Sequence, residues 1–198
     1  MNRIDFILDR CEGKTVLHLG AVDRSGDGVG GLHRRLLEVS KEVVGIDNDA
    51  AGIVLAEERG IENIEEGDIE ELDRLSLPGF RPDIILASEV LEHLSSPGRF
   101  LHSVKSFFSP DTQMIITTPN SFSAYRFLYP LLATEIIHSD HVAYHSFATL
   151  TNLLSRFGYR ILERYGYILA MRPMRVLRGL LRMFPHFAAG YVFVVRHP

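Results

Sequence analysis

The chain has 198 residues, 46% of them hydrophobic, with one cysteine and a formal net charge of −4. That length suits one domain with a sizeable core and is short for two, so a single domain over 1–198 is expected. One cysteine excludes an intramolecular disulfide, no apolar signal segment follows a basic start, and no apolar run reaches the roughly 18 residues of a spanning helix. A soluble, cytoplasmic protein is therefore expected.

Taken in chain order, apolar or β-branched runs at 14–20, 42–47, 62–67, 82–88 and 112–118 read as strands. After the first, Leu32, Leu36, Leu37 and Val39 give a helix its inner face, with Arg34, Arg35 and Glu38 outside. Asp49 is placed to cap a helix running through Ala56, and "SSPGRFLHSVKSFF" opens another with Ser and Pro signals. Strands alternating with helices predict βα units and a parallel sheet. After "TTPN" the rhythm breaks into an aromatic connection over 121–145, followed by a helix ending at Gly158 whose inner side is Leu150, Leu153, Leu154 and Phe157. "YRILERYGYILA" and "GYVFVVRH" then read as two strands whose pairing makes an antiparallel edge.

Charge is unevenly spread along this order. Residues 1–163 carry 15 Lys+Arg against 25 Asp+Glu, whereas 164–198 carry six Arg and no acid. The acidic body argues against broad nucleic-acid binding. Within the basic tail, the excursion 171–187 sets Met and Leu residues among four arginines. Such a stripe more often packs on its own domain or on a second subunit, as in a homodimer; peripheral membrane contact is the alternative.

The stretch "VLHLGAVDRSGDGVGG" at 16–31 starts like a strand feeding a glycine loop, yet Val22 and Arg24 stand where a dinucleotide site wants glycine. With it, in order, come "VVGIDND", "EEGDIEEL", "PDIILASEVLEHL", "MIITTPN" and "DHVAYHSFATLTNLLSRFGY". In this order and spacing the set resembles the class I S-adenosylmethionine-dependent methyltransferases over roughly residues 14–169. The resemblance implies a Rossmann-like three-layer α/β sandwich with a mostly parallel seven-stranded sheet and an antiparallel edge strand. It implies S-adenosylmethionine as cofactor.

Site residues follow from the same resemblance. Asp47 ends the second strand, where a carboxylate can take two hydrogen bonds from ribose hydroxyls, with Asn48 beside it. Asp68 matches the residue near the adenine amino group, and Ile69 the residue lining the ring. Ser88 and Glu89 fall at the carboxyl end of the fourth strand, where the methionine part is met. His18 takes the place of the family's acidic residue, Gly20 keeps the first glycine, and Asp23 offers a carboxylate nearby. S-adenosylmethionine has no pyrophosphate, so the eroded loop weakens a nicotinamide reading more than a methyl-donor reading. A nicotinamide-dependent oxidoreductase and a catalytically silent partner protein remain the rival readings.

If a helix begins at Glu89, then Glu89, Glu92 and His93 share one face. In two branches of the family, the ubiquinone-pathway O-methyltransferases and the small-RNA 3′-terminal methyltransferases, a similar run joins a later histidine at a divalent metal; here His138, His141 and His145 are available. The same run is widespread in members that need no metal, and a metal is not the favoured expectation. The connection also supplies Asn120, Ser121, Tyr125, Tyr129, Asp140 and Tyr144 to an acceptor. His141 is the first choice of base for a hydroxyl proton and His145 the second, with Asp140 to orient one of them. The expected reaction is methylation of a small molecule or glycan, on oxygen rather than nitrogen.

Overall fold

The computed structural model describes residues 2–22, 29–123, 126, 140–167 and 185–198. Asp23, Tyr125, Tyr129, His138 and most of the 171–187 excursion lie outside the described residues. In chain order the elements are α1 (Arg3–Cys11), β1 (Thr15–Leu19), α2 (Gly31–Val39), β2 (Glu42–Asp47), α3 (Ala50–Glu57), β3 (Ile64–Glu66), β4 (Ile84–Ser88), α4 (Pro97–Ser103), β5 (Gln113–Pro119), α5 (Phe147–Arg156), β6 (Arg160–Tyr167) and β7 (Gly190–Arg196).

The seven strands form one sheet in the order β3-β2-β1-β4-β5-β7-β6. β1 pairs in parallel with β2 and β4, and β4 with β5. β7 runs antiparallel to both β5 and β6, so the expected antiparallel edge is the β6–β7 pair. Strands buried on both faces need continuous apolar runs, and β1 and β4 supply them. Leu17, Leu19, Ile85 and Ala87 pack on one side with Phe100, Leu101, Leu150 and Leu154 of α4 and α5. Val16, Ile84 and Leu86 pack on the other side with Ile7, Cys11 and Leu36 of α1 and α2. Cys11 is fully enclosed there, and burial pushes its thiol up to about 12, so it is an apolar filler and no nucleophile.

Local signals account for the helix starts. Asp49 accepts from the Gly52 N–H at 3.0 Å, as its capping position requires, and Ser146 and Thr149 form a reciprocal capping box for α5. Pro97 opens α4, where its missing N–H costs nothing. Two elements depart from expectation. Helix α1 has no counterpart in the sequence reading, although Asn2 caps it and Ile4, Ile7, Leu8 and Cys11 share one face. In α2 the buried positions are Gly31, His33 and Leu36, so a histidine sits at the centre of the inner face where only leucines and a valine were expected.

Candidate functional site

Strand order reverses between β1 and β4, and in open parallel sheets ligands bind at the carboxyl ends of strands beside such a reversal. A cavity of about 850 Å³ lies there. It is lined by eight of the residues expected at a cofactor, His18, Gly20, Asp47, Asn48, Asp68, Ile69, Ser88 and Glu89, and by His141.

Gly20 turns out of β1 with φ +72°, and a Cβ there would stand 2.7 Å from Val90 Cγ2, so the position needs glycine on two counts. Its N–H donates to the Ile46 carbonyl at 2.9 Å, which ties the turn to β2. Asp47, almost fully buried, receives the Val22 N–H on Oδ2 at 2.7 Å and the Asp49 N–H on Oδ1 at 3.0 Å. Each carboxylate oxygen has two acceptor sites, and the backbone N–H groups of the described residues take one on each. Asp68 caps the 3₁₀ segment Ile69–Arg74 through the Glu70 N–H at 2.8 Å while also lining the cavity.

Glu89 overturns the expected helix. Its φ is +56°, and only Leu91–His93 form a single 3₁₀ turn, so Glu89, Glu92 and His93 do not share a helical face. The Glu89 carboxylate accepts from Thr117 Oγ1 at 2.9 Å and from the Tyr167 hydroxyl at 3.0 and 3.1 Å. Arg3 Nη1 lies 3.0 Å from the same carboxylate. Burial and the Glu89 charge together push the Tyr167 phenol well above its ordinary range. A left-handed, non-glycine residue is strained, and these partners on three distant elements hold it.

Glu92 is fully buried. Its Oε2 accepts from Thr118 Oγ1 at 3.1 Å, whereas Oε1 has no hydrogen-bond partner. Burial, followed by the nearby charge of Glu89, raises its pKa to about 8. The Glu92 carbonyl accepts from the Val142 and Ala143 N–H groups at 2.9 and 3.2 Å, which ties the acceptor-side segment to this turn. His93 Nδ1 lies 3.2 Å from the Asp140 carbonyl; a carbonyl only accepts, so Nδ1 carries the proton and the neutral ring has its lone pair on Nε2. His141 meets His93 edge to face with ring centroids 4.6 Å apart, and its Nδ1 is 2.9 Å from the Tyr144 hydroxyl. Among the described residues, Glu92, His93 and His141 each offer one ligand atom, and these atoms lie within 4.8 Å of one another. Glu89 is not in that group.

The other acceptor-side residues are placed differently. His145 does not line the cavity; its ring is half-buried, burial lowers its pKa, and its backbone bridges to Asn120. Asn120 is fully buried, with its amide donating to the His186 and Ala188 carbonyls at 2.7 and 2.8 Å, so it fastens β5 to the approach to β7. Asp140 lines the cavity and orients His93 through its carbonyl.

Two residues have no place in the sequence reading. Arg3 of α1 brings a guanidinium to the cavity wall, where every other lining Lys, Arg, Asp or Glu is acidic. His33, fully buried, stacks on His18 at an interplanar angle of 9°, with the two Nδ1 atoms 3.2 Å apart. Burial drives the pKa of both rings down, that of His33 to about 4.

A family model described as a methyltransferase domain matches residues 13–164. Two curated relatives, the ubiquinone biosynthesis O-methyltransferases of Bradyrhizobium sp. (strain ORS 278) and Azorhizobium caulinodans, are 35% and 34% identical to the chain over 100 residues. Each match covers 48% of this chain and 38% of the relative, so the chain matches well under half the length of those proteins. Among solved structures, the small RNA methyltransferase HEN1 superposes on 98% of this chain with a TM-score of 0.71 and 20% identity, the match covering 25% of that protein. A SAM dependent methyltransferase from Archaeoglobus fulgidus superposes on 98% with a TM-score of 0.65 and 19% identity, covering 94% of that chain. At these identities the two structures show a shared fold.

Proposed function

The chain belongs to this family of methyltransferase domains, whose model spans well over half of it, and from that premise we propose that it moves the methyl group of S-adenosylmethionine to an oxygen of a small molecule or glycan. The observation that carries the reading is the carboxylate-rimmed cavity at the strand reversal, with Gly20, Asp47 and Asp68 at the ends of three neighbouring strands. S-adenosylmethionine supplies an electrophilic methyl group on a positively charged sulfur. The lining carboxylates Asp47, Asp49, Asp68, Glu70, Glu89 and Asp140 favour such a cation and disfavour a pyrophosphate, which weighs against a nicotinamide cofactor.

The chain's own residues have separable tasks. The two oxygens of Asp47 would accept from a ribose diol, Asp68 would serve the adenine amino group, and Gly20 would let the backbone approach. Among the described lining residues Arg3, ion-paired with Glu89, carries the positive charge that would suit the cofactor's carboxylate. Alignment of donor and acceptor supplies most of the acceleration in such a displacement, and a base has only to take the hydroxyl proton. When His141 donates Nδ1–H to Tyr144, Nε2 is the ring nitrogen that would take that proton. The O-methyltransferase relatives support oxygen as the methylated atom.

One observation favours a second reading of the acceptor side. Buried Glu92, whose Oε1 has no hydrogen-bond partner among the described residues, and the neighbouring His93 and His141 are a donor set that fits a divalent cation. A cation there would lower the pKa of an acceptor hydroxyl. The test is transfer of a tritiated methyl group from S-adenosylmethionine to a panel of phenols, polyols and sugars, with and without chelator. Labelled product with release of S-adenosylhomocysteine is expected. Protein that binds neither S-adenosylmethionine nor S-adenosylhomocysteine would overturn the proposal, and full activity in chelator would remove the metal reading.

A further inference from the structure

Where relatives by resemblance place a carboxylate, this chain has His18, and the structure gives that residue a partner. His33 Nε2 lies 3.1 Å from the Glu62 carbonyl, which can only accept, so that nitrogen carries a proton. In a neutral ring His33 Nδ1 then holds a lone pair. Nδ1 of His18 faces it at 3.2 Å and must donate, which leaves the lone pair of His18 on Nε2. The chain from the Glu62 carbonyl through two rings thus decides the tautomer of a residue on the cavity wall.

Both rings are held neutral by their setting. They are enclosed, and His33 stands in the first turn of α2, where the positive end of the helix disfavours an imidazolium. The neighbouring strand is fitted to the pair as well. A Cβ at Gly45 of β2 would stand 2.8 Å from His33 Cε1 and 2.7 Å from the Ala21 Cβ, so any larger residue would displace the ring.

On the cofactor assigned above, three groups present hydrogen-bond donors to a protein: the ribose hydroxyls, the adenine amino group and the α-ammonium. Asp47 and Asp68 answer the first two. His18 lies on β1, between β2, which carries Asp47, and β4, which leads to Glu89 at the methionine end. We propose that His33 is a positioning residue that locks His18 as the Nδ1–H tautomer, so that His18 Nε2 accepts a hydrogen bond from the cofactor's α-ammonium group. A neutral nitrogen acceptor thereby stands at the place where the resemblance puts an acidic residue.

The inference rests on the methyl-donor reading, and its test separates the two. Titrations would compare S-adenosylhomocysteine with its deaminated analogue, which lacks only the ammonium, using the full chain. Wild type should prefer the intact ligand by on the order of ten-fold, the size of one hydrogen bond to a charged group. His18→Leu should lose that preference, and His18→Gln, which restores an acceptor near the Nε2 position, should regain part of it. Long-range ¹H–¹⁵N spectra of unmutated protein should show His18 protonated at Nδ1 and His33 at Nε2, a readout that does not depend on whether a His33 variant folds. His18 protonated at Nε2, or a preference that survives His18→Leu, would overturn the inference alone. Failure of wild type to bind either ligand would overturn the methyl-donor reading beneath it.

Discussion

Asp47→Asn keeps the volume and removes one acceptor from a carboxylate whose duties can be counted. Among the described residues each Asp47 oxygen receives one backbone N–H, and an oxygen with two acceptor sites can take a ribose hydroxyl as well. Asparagine has one carbonyl oxygen, so its NH₂ group must face the N–H of either Val22 or Asp49. A buried N–H left without an acceptor, and formerly bonded to a charged group, costs about 1.5–3 kcal/mol. The same replacement denies one ribose hydroxyl its acceptor, and a loss of about 2 kcal/mol is roughly thirty-fold in dissociation constant. Two assays read these separately: urea unfolding for stability, and calorimetric titration with S-adenosylhomocysteine at a temperature where the variant is folded. Using the 2′-deoxy analogue as a second ligand, the gap between the two ligands should narrow in the variant. A folded Asp47→Asn protein with unchanged affinity for both ligands would refute the assignment of Asp47 to the ribose.

Other consequences follow from the same geometry. His141→Ala should cut turnover while leaving S-adenosylhomocysteine affinity nearly intact; a parallel loss of cofactor affinity would place His141 on the wrong side of the cavity. Glu92 has a folded pKa of about 8 against an ordinary 4.5, so the folded state holds the proton more tightly. Its penalty is absent below about pH 4.5, grows as pH rises and is complete above pH 8. In metal-free buffer Glu92→Gln should therefore gain stability over wild type at pH 8.5 relative to pH 4.5, as urea midpoints would report; an equal difference at both pH values would contradict the burial argument. Tyr167→Phe removes the hydroxyl that donates to both oxygens of Glu89 and should cost about 1.5–3 kcal/mol in thermal unfolding. A change under about 0.5 kcal/mol would show that Arg3 and Thr117 hold Glu89 by themselves.

Legibility in the sequence tracked the locality of each interaction. Gly20, Asp47 and Asp68 enter through the resemblance, and they fall where it puts them because a strand end, a turn and a cap are set within a few residues; Asp49 likewise caps the helix that its position suggests. Glu89 was misplaced for the opposite reason. Its left-handed backbone is held by Tyr167, 78 positions away, by Thr117 and by Arg3 of a helix with no counterpart in the sequence reading, and no local pattern reports those partners. His33 falls on the inner face of α2 at helical spacing, yet its burial makes sense only once the Glu62 carbonyl, 29 residues on, is beside it. The Glu92, His93 and His141 group lies between: Glu89, Glu92 and His93 with His138, His141 or His145 is the set the resemblance offers, and the folded turn keeps Glu92, His93 and His141 together and leaves Glu89 out. His145 is an acceptor-side candidate by proximity in sequence, but it is not among the residues that line the cavity, and its backbone bridges to Asn120.

The most direct measurement is calorimetric titration of the purified chain with S-adenosylhomocysteine, with NAD as the control ligand. One micromolar site for S-adenosylhomocysteine and none for NAD is expected of a carboxylate-rimmed cavity. Binding of NAD, or of neither ligand, would contradict it.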